Sequence, residues 1–325
     1  MICVTGITGH SGRHFLQELI RHDYQEPVRC VVRVSSDTSD LDNSGLKIEK
    51  VYGDLNDGQF VDSCLEGVDT VMHLYNIRHS PSIVDAAIKN HVKRAVLVHT
   101  TGIYSKHKCA SSEYQRIEAD VIKIASGRID LTILRPTMIY GDMRDRNLSK
   151  LIKGIDRYWV FPVIDNGRNL IQPVNARDLG KAYYDVLTNP DKTSNTTYDL
   201  SGNEPLQLIE VLRQISLLLG RKTRFVNVPM WLALLSARFL RIITLRKVDI
   251  VEKILRMGEN RNYSHEAAIH DFGYSPMPFD EGVKIEVAEY LKSKAKSNLD
   301  SRPRETLCED SHTPCHNLPS TGRSP

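Results

Sequence analysis

The chain has 325 residues, enough for one large or two ordinary domains, and its 41% hydrophobic and 26% charged side chains are those of a globular protein. A formal net charge of +3 is too small to argue for nucleic acid or an anionic membrane as partner. No apolar run is long enough to span a bilayer, the start does not read as a secretory signal, and six scattered cysteines without a Cys-x-x-Cys suit a reducing cytosol, so a cytoplasmic protein is expected.

Ile2-Cys3-Val4-Thr5 reads as a short buried strand. The turn Gly6-Ile7-Thr8-Gly9-His10-Ser11-Gly12 follows, and then a segment in which Phe15, Leu16, Leu19 and Ile20 keep helical spacing. Strand, glycine turn and helix form the front of a dinucleotide-binding βαβ unit. Gly6 allows the tight turn, Gly9 lets backbone N–H groups approach a pyrophosphate, and Gly12 lets helix and strand pack closely. The pyrophosphate then rests on the positive end of a helix, with Thr8, His10 and Ser11 in the same turn. The spacing is Gly-x-x-Gly-x-x-Gly rather than Gly-x-Gly-x-x-Gly. A glycine-rich turn by itself is weak, and it is the flanking strand and helix that carry the reading.

Val28 to Val34 is the second strand. An acidic residue at its end suits the ribose 2′-hydroxyl of NAD, and an arginine suits the 2′-phosphate of NADP. Arg33, with Asp37 soon after, leaves NAD or NADP open and slightly favours NADP. Further strands are expected at Lys47 to Val51, Val68 to Leu74, Arg94 to His99 and Leu131 to Leu134. Helices are expected at Pro81 to His91 and Ser111 to Ala125, the latter opened by a capping box of Ser112 and Gln115. This alternation predicts an α/β fold: a Rossmann-type, doubly wound parallel sheet.

After about residue 140 the alternation loosens, with helices expected at Asn147 to Ile155, Asp178 to Leu187, Leu206 to Leu219, Val248 to Met257 and Asp280 to Leu291. Tyr158 to Val163 reads as a strand or apolar loop, and Tyr198 to Leu200 as a strand. The expected organisation is a nucleotide-binding domain over 1–140, with further core elements near 165–200. A smaller, mostly helical substrate lobe occupies 141–292, and a disordered tail 293–325. The tail is rich in Pro, Ser, Thr and Asn, and its Cys308, His312, Cys315 and His316 match no zinc spacing. Met230 to Ile243, followed by Arg246 and Lys247, admits two readings: an interfacial helix, or a helix of the small lobe packed over the cleft. The second is preferred, because the run is short and its charges do not keep to one face.

Several segments together resemble the extended and atypical short-chain dehydrogenases/reductases, the superfamily of NAD-dependent sugar-nucleotide epimerases and dehydratases with its NmrA-like relatives. They are Val4–Gly12, Gly53-Asp54-Leu55, Val71-Met72-His73-Leu74, Thr100-Thr101-Gly102-Ile103-Tyr104, Leu134 to Gly141, Gln172 to Leu179 and Tyr198 to Gly202. They occur in family order from residue 1 to about 290. The resemblance implies that Gly6, Gly9 and Gly12 take the pyrophosphate, that Asp54 and Leu55 flank the adenine, and that Thr100 is the active-site Ser/Thr. It implies a nucleotide-linked sugar as substrate, no nucleic-acid partner, and pairing into a homodimer through two large-lobe helices.

The family's catalytic pair is Tyr-x-x-x-Lys on one helix, which stacks both side chains on one face so that the lysine lowers the phenol pKa. Tyr104 and Lys108 have this spacing, but Tyr104 falls where the family has a non-catalytic tyrosine and nothing there predicts a helix. Tyr114 is on the expected helix, yet its fourth neighbour is Glu118. If Glu118 is the family's helix glutamate, Tyr114 replaces the lysine and Ala110 the tyrosine. Three readings stay open: an epimerase, dehydratase or related oxidoreductase with a rearranged pair, in which Tyr104 or Tyr114 is the acid/base, Lys108 its partner and Thr100 orients; a non-catalytic NAD(P)-binding sensor or assembly protein; and a reductase of another small carbonyl. Enzymatic activity is preferred. His73 and His99, at strand ends, are either proton relays or histidines satisfied by backbone, the second being commoner.

Overall fold

A computed structural model of the chain describes residues 1–106, 108–145, 147–243 and 251–300. The first elements in chain order are β1 (Ile2–Thr5), α1 (Gly12–Arg21), β2 (Val28–Val32), α2 (Ser39–Asp42), β3 (Ile48–Tyr52), α3 (Gly58–Cys64), β4 (Thr70–His73), α4 (Ser80–Lys89) and β5 (Arg94–Val98). A 3-10 turn (Thr101–Tyr104), α5 (Lys108–Ala125), β6 (Asp130–Pro136), β7 (Ile139–Tyr140), α6 (Leu148–Arg157), β8 (Val160–Ile164), β9 (Leu170–Ile171) and β10 (Val174–Asn175) come next. The chain continues through α7 (Ala176–Thr188), α8 (Pro190–Thr193), β11 (Thr196–Leu200), β12 (Leu206–Gln207), α9 (Leu208–Leu218) and β13 (Arg224–Val228). It reaches α10 (Met230–Ile243), α11 (Val251–Met257), α12 (Glu266–Phe272) and α13 (Phe279–Asp300).

Among the described residues, seven strands form one sheet in the order β11-β6-β5-β4-β1-β2-β3, and every pairing in it is parallel. β1 shows why. Its residues alternate between two buried layers: Ile2 and Val4 join the core with Phe15, Leu19 and Tyr183, and Cys3 joins the core with Val71, Ile83 and Val121. A strand apolar on both faces needs helices on both faces, which parallel crossovers supply. On one side α1 and α7 lie close together, since a Cβ added at Gly180 would come within 2.6 Å of the His14 Cβ. The chain winds outward from β1 through β2 and β3, then crosses back to place β4 on the other side of β1. That reversal opens a crevice at the carboxyl ends of β1 and β4, where such sheets hold ligands.

The second lobe has its own core, in which Leu148, Ile152 and Ile155 of α6 meet Leu212 and Ile215 of α9 and Val283 and Val287 of α13. Its β structure is slight: β8 pairs in parallel with β13, and β9 antiparallel with β12. A capping box opens α9, with the Gln207 N–H donating to the Glu210 carboxylate at 2.7 Å. The chain interleaves the lobes, because β11 returns from beyond them to pair with β6.

Three expectations change. α5 begins at Lys108, ahead of the Ser112–Gln115 box, and the Gln115 side-chain amide donates instead to the Ile103 carbonyl at 2.6 Å, tying the helix to the 3-10 turn before it. Tyr104 lies inside that turn. α13 runs to Asp300, past the tail boundary at 293, and Lys294 is anchored on Asp156, which also accepts from Tyr290 Oη at 2.7 Å and from Arg221. Residues 301–325, with the four tail Cys and His residues, lie outside the described residues.

Glu286 on α13 is fully buried and accepts the Gly141 N–H at 2.9 Å. Burial, reinforced by the neighbouring Asp145 carboxylate, pushes its pKa up to about 10. A carboxyl whose folded pKa lies above its unfolded value gives its full stability below the unfolded value and loses it as pH rises toward the folded one. Glu286→Gln keeps an oxygen for Gly141 and carries no such penalty. Its melting temperature is therefore expected to exceed wild type by an amount that widens between pH 5 and pH 9, on the order of 2–4 °C at the upper end. Parallel melting curves across that range would contradict the burial argument.

Candidate active site and cofactor cradle

The glycine turn is built by close backbone approach. Gly6 has φ +80°, and a Cβ there would stand 3.0 Å from the Leu74 carbonyl carbon. The Gly9 N–H donates to the Gly6 carbonyl at 2.9 Å, and a Cβ on Gly9 would meet that same oxygen at 2.9 Å. A Cβ on Gly12 would meet Ile7 Cα at 2.7 Å. Each glycine is thus required by the turn itself, and the turn points its free N–H groups at the crevice from the start of α1.

The crevice is a cleft of about 270 Å3. Gly6, Thr8 and Gly9 form its floor, Arg33 and Ser36 its far side, and Asp54 and Leu55 the wall beyond β3. The Arg33 guanidinium lies 5.8 Å from the ring centre of Tyr75, which in turn stacks on His79. Asp37 is turned away, its carboxylate accepting from the backbone and hydroxyl of Ser39. Asp54 holds its own turn by accepting from Asn56. Two expected contacts face elsewhere: the His10 ring pairs with Asp142 at 3.2 Å, and the Ser11 hydroxyl accepts from Tyr183 Oη at 3.3 Å. A glycine floor that a Cβ would fill, ending on a helix N-terminus and an arginine, fits the adenosine diphosphate half of a dinucleotide.

A second cleft, of about 320 Å3, opens beyond the ends of β5 and β6. Thr100 stands at one end, its hydroxyl accepting the Gly102 N–H at 3.0 Å. Gln172, Arg256, Glu259, Arg261 and Tyr263 line the rest. Glu259 is turned toward the loop beside it, accepting from Ser105 Oγ at 2.8 Å and the Lys106 N–H at 2.7 Å. Among the described residues, the buried Nε atoms of Arg256 and Arg261 have no hydrogen-bond partner. Burial, with Arg256 adding its charge, pulls the Arg261 pKa below its ordinary value. Two buried Nε donors without a partner among the described residues, on guanidiniums that line one cleft, are chemically suited to an anion.

Of the expected catalytic residues Thr100 lines this cleft, while Tyr104 and Tyr114 are not among its lining residues. Tyr104 stands behind Tyr263, ring centres 5.1 Å apart. Its hydroxyl donates to Asp199 at 3.0 Å and accepts from Arg135 at 2.7 Å. Burial first, then Asp199, raise its pKa to about 12, opposite to what a proton-trading phenol requires. Tyr104 and Lys108 lie on separate elements, so the one-face stacking of an i, i+4 pair is not formed, and the Lys108 side chain lies outside the described residues. Tyr114 sits beside a cation: Arg78 lies 5.6 Å over its ring while gripping Glu113 through two nitrogens.

Both strand-end histidines are engaged. Nε2 of His73 donates to the Asn76 carbonyl at 3.1 Å, leaving Nδ1 to accept from the Thr5 hydroxyl at 2.6 Å. Burial lowers its pKa to about 4, so it is neutral. His99 is held by side chains rather than backbone: Nδ1 meets Glu118 at 2.8 Å and Nε2 meets Ser80 at 3.1 Å. Glu118 also takes Arg135, and together these partners outweigh burial and hold its carboxyl below the usual range. The chain Ser80–His99–Glu118–Arg135–Tyr104 is a brace that fixes the floor behind Thr100. Sequence does not single out Arg256, which reads as one more residue of the expected helix Val248 to Met257, nor Arg261 and Tyr263, because Gly258 to Tyr263 shows neither period nor motif.

This architecture and cradle define an NAD(P)-binding Rossmann protein. A sequence model of an NAD(P)H-binding family matches residues 6–156. Sterol demethylase protein B of Methylococcus capsulatus is 30% identical over 171 residues, which are 42% of this chain and 51% of that protein, so the match spans about half the relative's length. UDP-glucose 4-epimerase of Vibrio cholerae is 22% identical, covering 78% of this chain and 84% of its own. The crystallised MoeE5, in complex with UDP-glucose and NAD, superposes with a TM-score of 0.68 at 17% identity, over 90% of this chain and 99% of its own. Residues 6–156 thus match an NAD(P)H-binding family, and the fold as a whole is shared with solved proteins of the short-chain dehydrogenase/reductase type.

Proposed function

We propose that the protein is an NAD(P)-dependent oxidoreductase that exchanges hydride with a carbon of a nucleotide-linked sugar, in an epimerase, dehydratase or related reaction. The observation that carries this reading is the pair Arg256 and Arg261, whose buried Nε atoms lack partners in the cleft that ends at Thr100. Planar guanidiniums bind phosphate oxygens in two-pronged fashion, and a diphosphate offers enough of them for both. The bound nicotinamide supplies or takes the hydride. Thr100 orients the substrate oxygen, the two arginines take the diphosphate, and Tyr263 walls the sugar. Tyr114, whose ring Arg78 overlies, is assigned the acid/base role in this reading, since Tyr104 donates to Asp199. UDP-glucose in MoeE5 and the epimerase relative support the substrate class.

The test is incubation with a panel of nucleotide sugars and NAD(P)H, following absorbance and product masses. Turnover that falls in Thr100→Val and Tyr114→Phe is expected. Bound cofactor without turnover on any member would favour a second reading, a non-catalytic NAD(P)-binding protein. In the register that takes Glu118 as the family's helix glutamate, Ala110 replaces the tyrosine and Tyr114 the lysine, which argues for it.

Within the cradle, Arg33 and Ser36 favour NADP over NAD. A charge-assisted contact to the 2′-phosphate contributes about 1.5–3 kcal/mol. Arg33→Glu is therefore expected to weaken NADP binding by roughly ten- to a hundredfold more than NAD binding, as read by calorimetry. Equal losses for both would remove Arg33 from the 2′-phosphate.

A further inference from the structure

Helix α10 presents a surface that neither the cradle nor the cleft uses. Trp231, Leu235, Phe239 and Ile243 recur every fourth residue along it and are 67%, 58%, 64% and 62% exposed. Leu232 beside them is 40% exposed. The fully buried residues described on this helix are two alanines, Ala233 and Ala237, so it rests on the lobe through a narrow edge. The preference for a helix packed over the cleft is thus not met on its broad face. At 1.5 Å per residue the bare row is about 18 Å long. A soluble monomer seldom leaves so continuous an apolar row in water.

Charge indicates what the row faces. From Pro229 to Val248 the sequence carries Arg238, Arg241, Arg246 and Lys247 and neither aspartate nor glutamate. Arg238 is exposed and falls about 20° around the helix from Trp231, at the margin of the row. Packing two copies through this face would bring like charges together. An anionic headgroup layer instead receives Arg238 while the acyl region takes the apolar row, with tryptophan at the boundary. The helix is too short to cross a bilayer, and no helix of the described residues is long and apolar enough to do so.

We propose that α10 docks the protein on an anionic lipid surface, lying in the headgroup plane with Trp231, Leu235 and Phe239 inserted. This stands apart from the substrate assignment, though the two meet in space. Gly258, two residues after Arg256, packs against Met230 so tightly that a Cβ would come within 2.6 Å of the Met230 methyl.

The test is flotation of the full chain with vesicles of phosphatidylcholine alone or of phosphatidylcholine and phosphatidylglycerol in equal amounts. Binding to the anionic vesicles is expected to exceed binding to the neutral ones by on the order of tenfold, and to fall with salt. Leu235→Ser with Phe239→Ser is expected to lose on the order of tenfold in bound fraction while melting temperature and NAD(P)H affinity hold. Arg238→Glu should remove much of the anionic preference. In a Trp159→Phe background, leaving Trp231 as the one tryptophan of the chain, emission should shift to the blue on binding. Failure to float with either vesicle at low salt overturns the proposal. So does a dimer in solution that the double serine variant splits, since the row would then be a contact between copies.

Discussion

Gly9→Val is expected to remove NAD(P)H binding while leaving the parallel sheet folded. A Cβ at this position points at the Gly6 carbonyl oxygen from 2.9 Å, and valine adds two methyl groups on the cleft side of the turn. The turn can yield only by moving the N–H groups that face the pyrophosphate, and those groups are the start of α1. Loss of two charge-assisted backbone contacts, at about 1.5–3 kcal/mol each, corresponds to a fall in affinity of at least a hundredfold. Calorimetry reads the affinity. Thermal melting with saturating cofactor reads it again, because wild type gains stability with the logarithm of ligand concentration over Kd and the variant should gain none. A variant that binds NAD(P)H within a few fold of wild type would show that the glycine turn is only a turn.

The second large effect is expected at Arg256. This residue reaches the cleft from α11, and the nearby Arg261 is already disfavoured by burial. Arg256→Ala is expected to lower kcat/KM for a nucleotide sugar by about a hundredfold, at about 1.5–3 kcal/mol for a charged contact in a site that excludes water. Cofactor affinity should be unchanged, because the cradle lies at the other cleft. The reading separates binding from chemistry: if the arginine holds the diphosphate equally in ground and transition states, the loss falls on KM rather than kcat. An unchanged kcat/KM would send the diphosphate elsewhere. A substrate whose truncation to the free sugar costs nothing would do the same.

The nucleotide half of this molecule was legible in the sequence for a definite physical reason. β1, β4 and β5 are buried on both faces, so they read as short apolar runs, and each is followed by a helix with 3.6-residue spacing. The glycines announce themselves because no other residue fits their backbone contacts. The substrate half is different. β7, β9, β10 and β12 are two residues long, too short for any periodicity to register. Arg256, Arg261 and Tyr263 meet Thr100 only through long-range packing, and no local pattern encodes that meeting. The brace from Ser80 to Tyr104 likewise joins four separate elements and the turn between β5 and α5. Tyr104 is a candidate by spacing, but the spacing gives no sign that its hydroxyl donates to Asp199, ninety-five positions away. For α10 the apolar character was visible, but which of its faces would stay bare was not.

The last helix of the structure reaches back across the chain, giving Glu286 to Gly141, and Tyr290 and Lys294 to Asp156. During synthesis, every strand of the main sheet has left the ribosome well before those partners do, because its final member ends at Leu200. The residues that line the cofactor cradle, the last of them His79, are therefore all synthesised before the helix that completes the core of the second lobe.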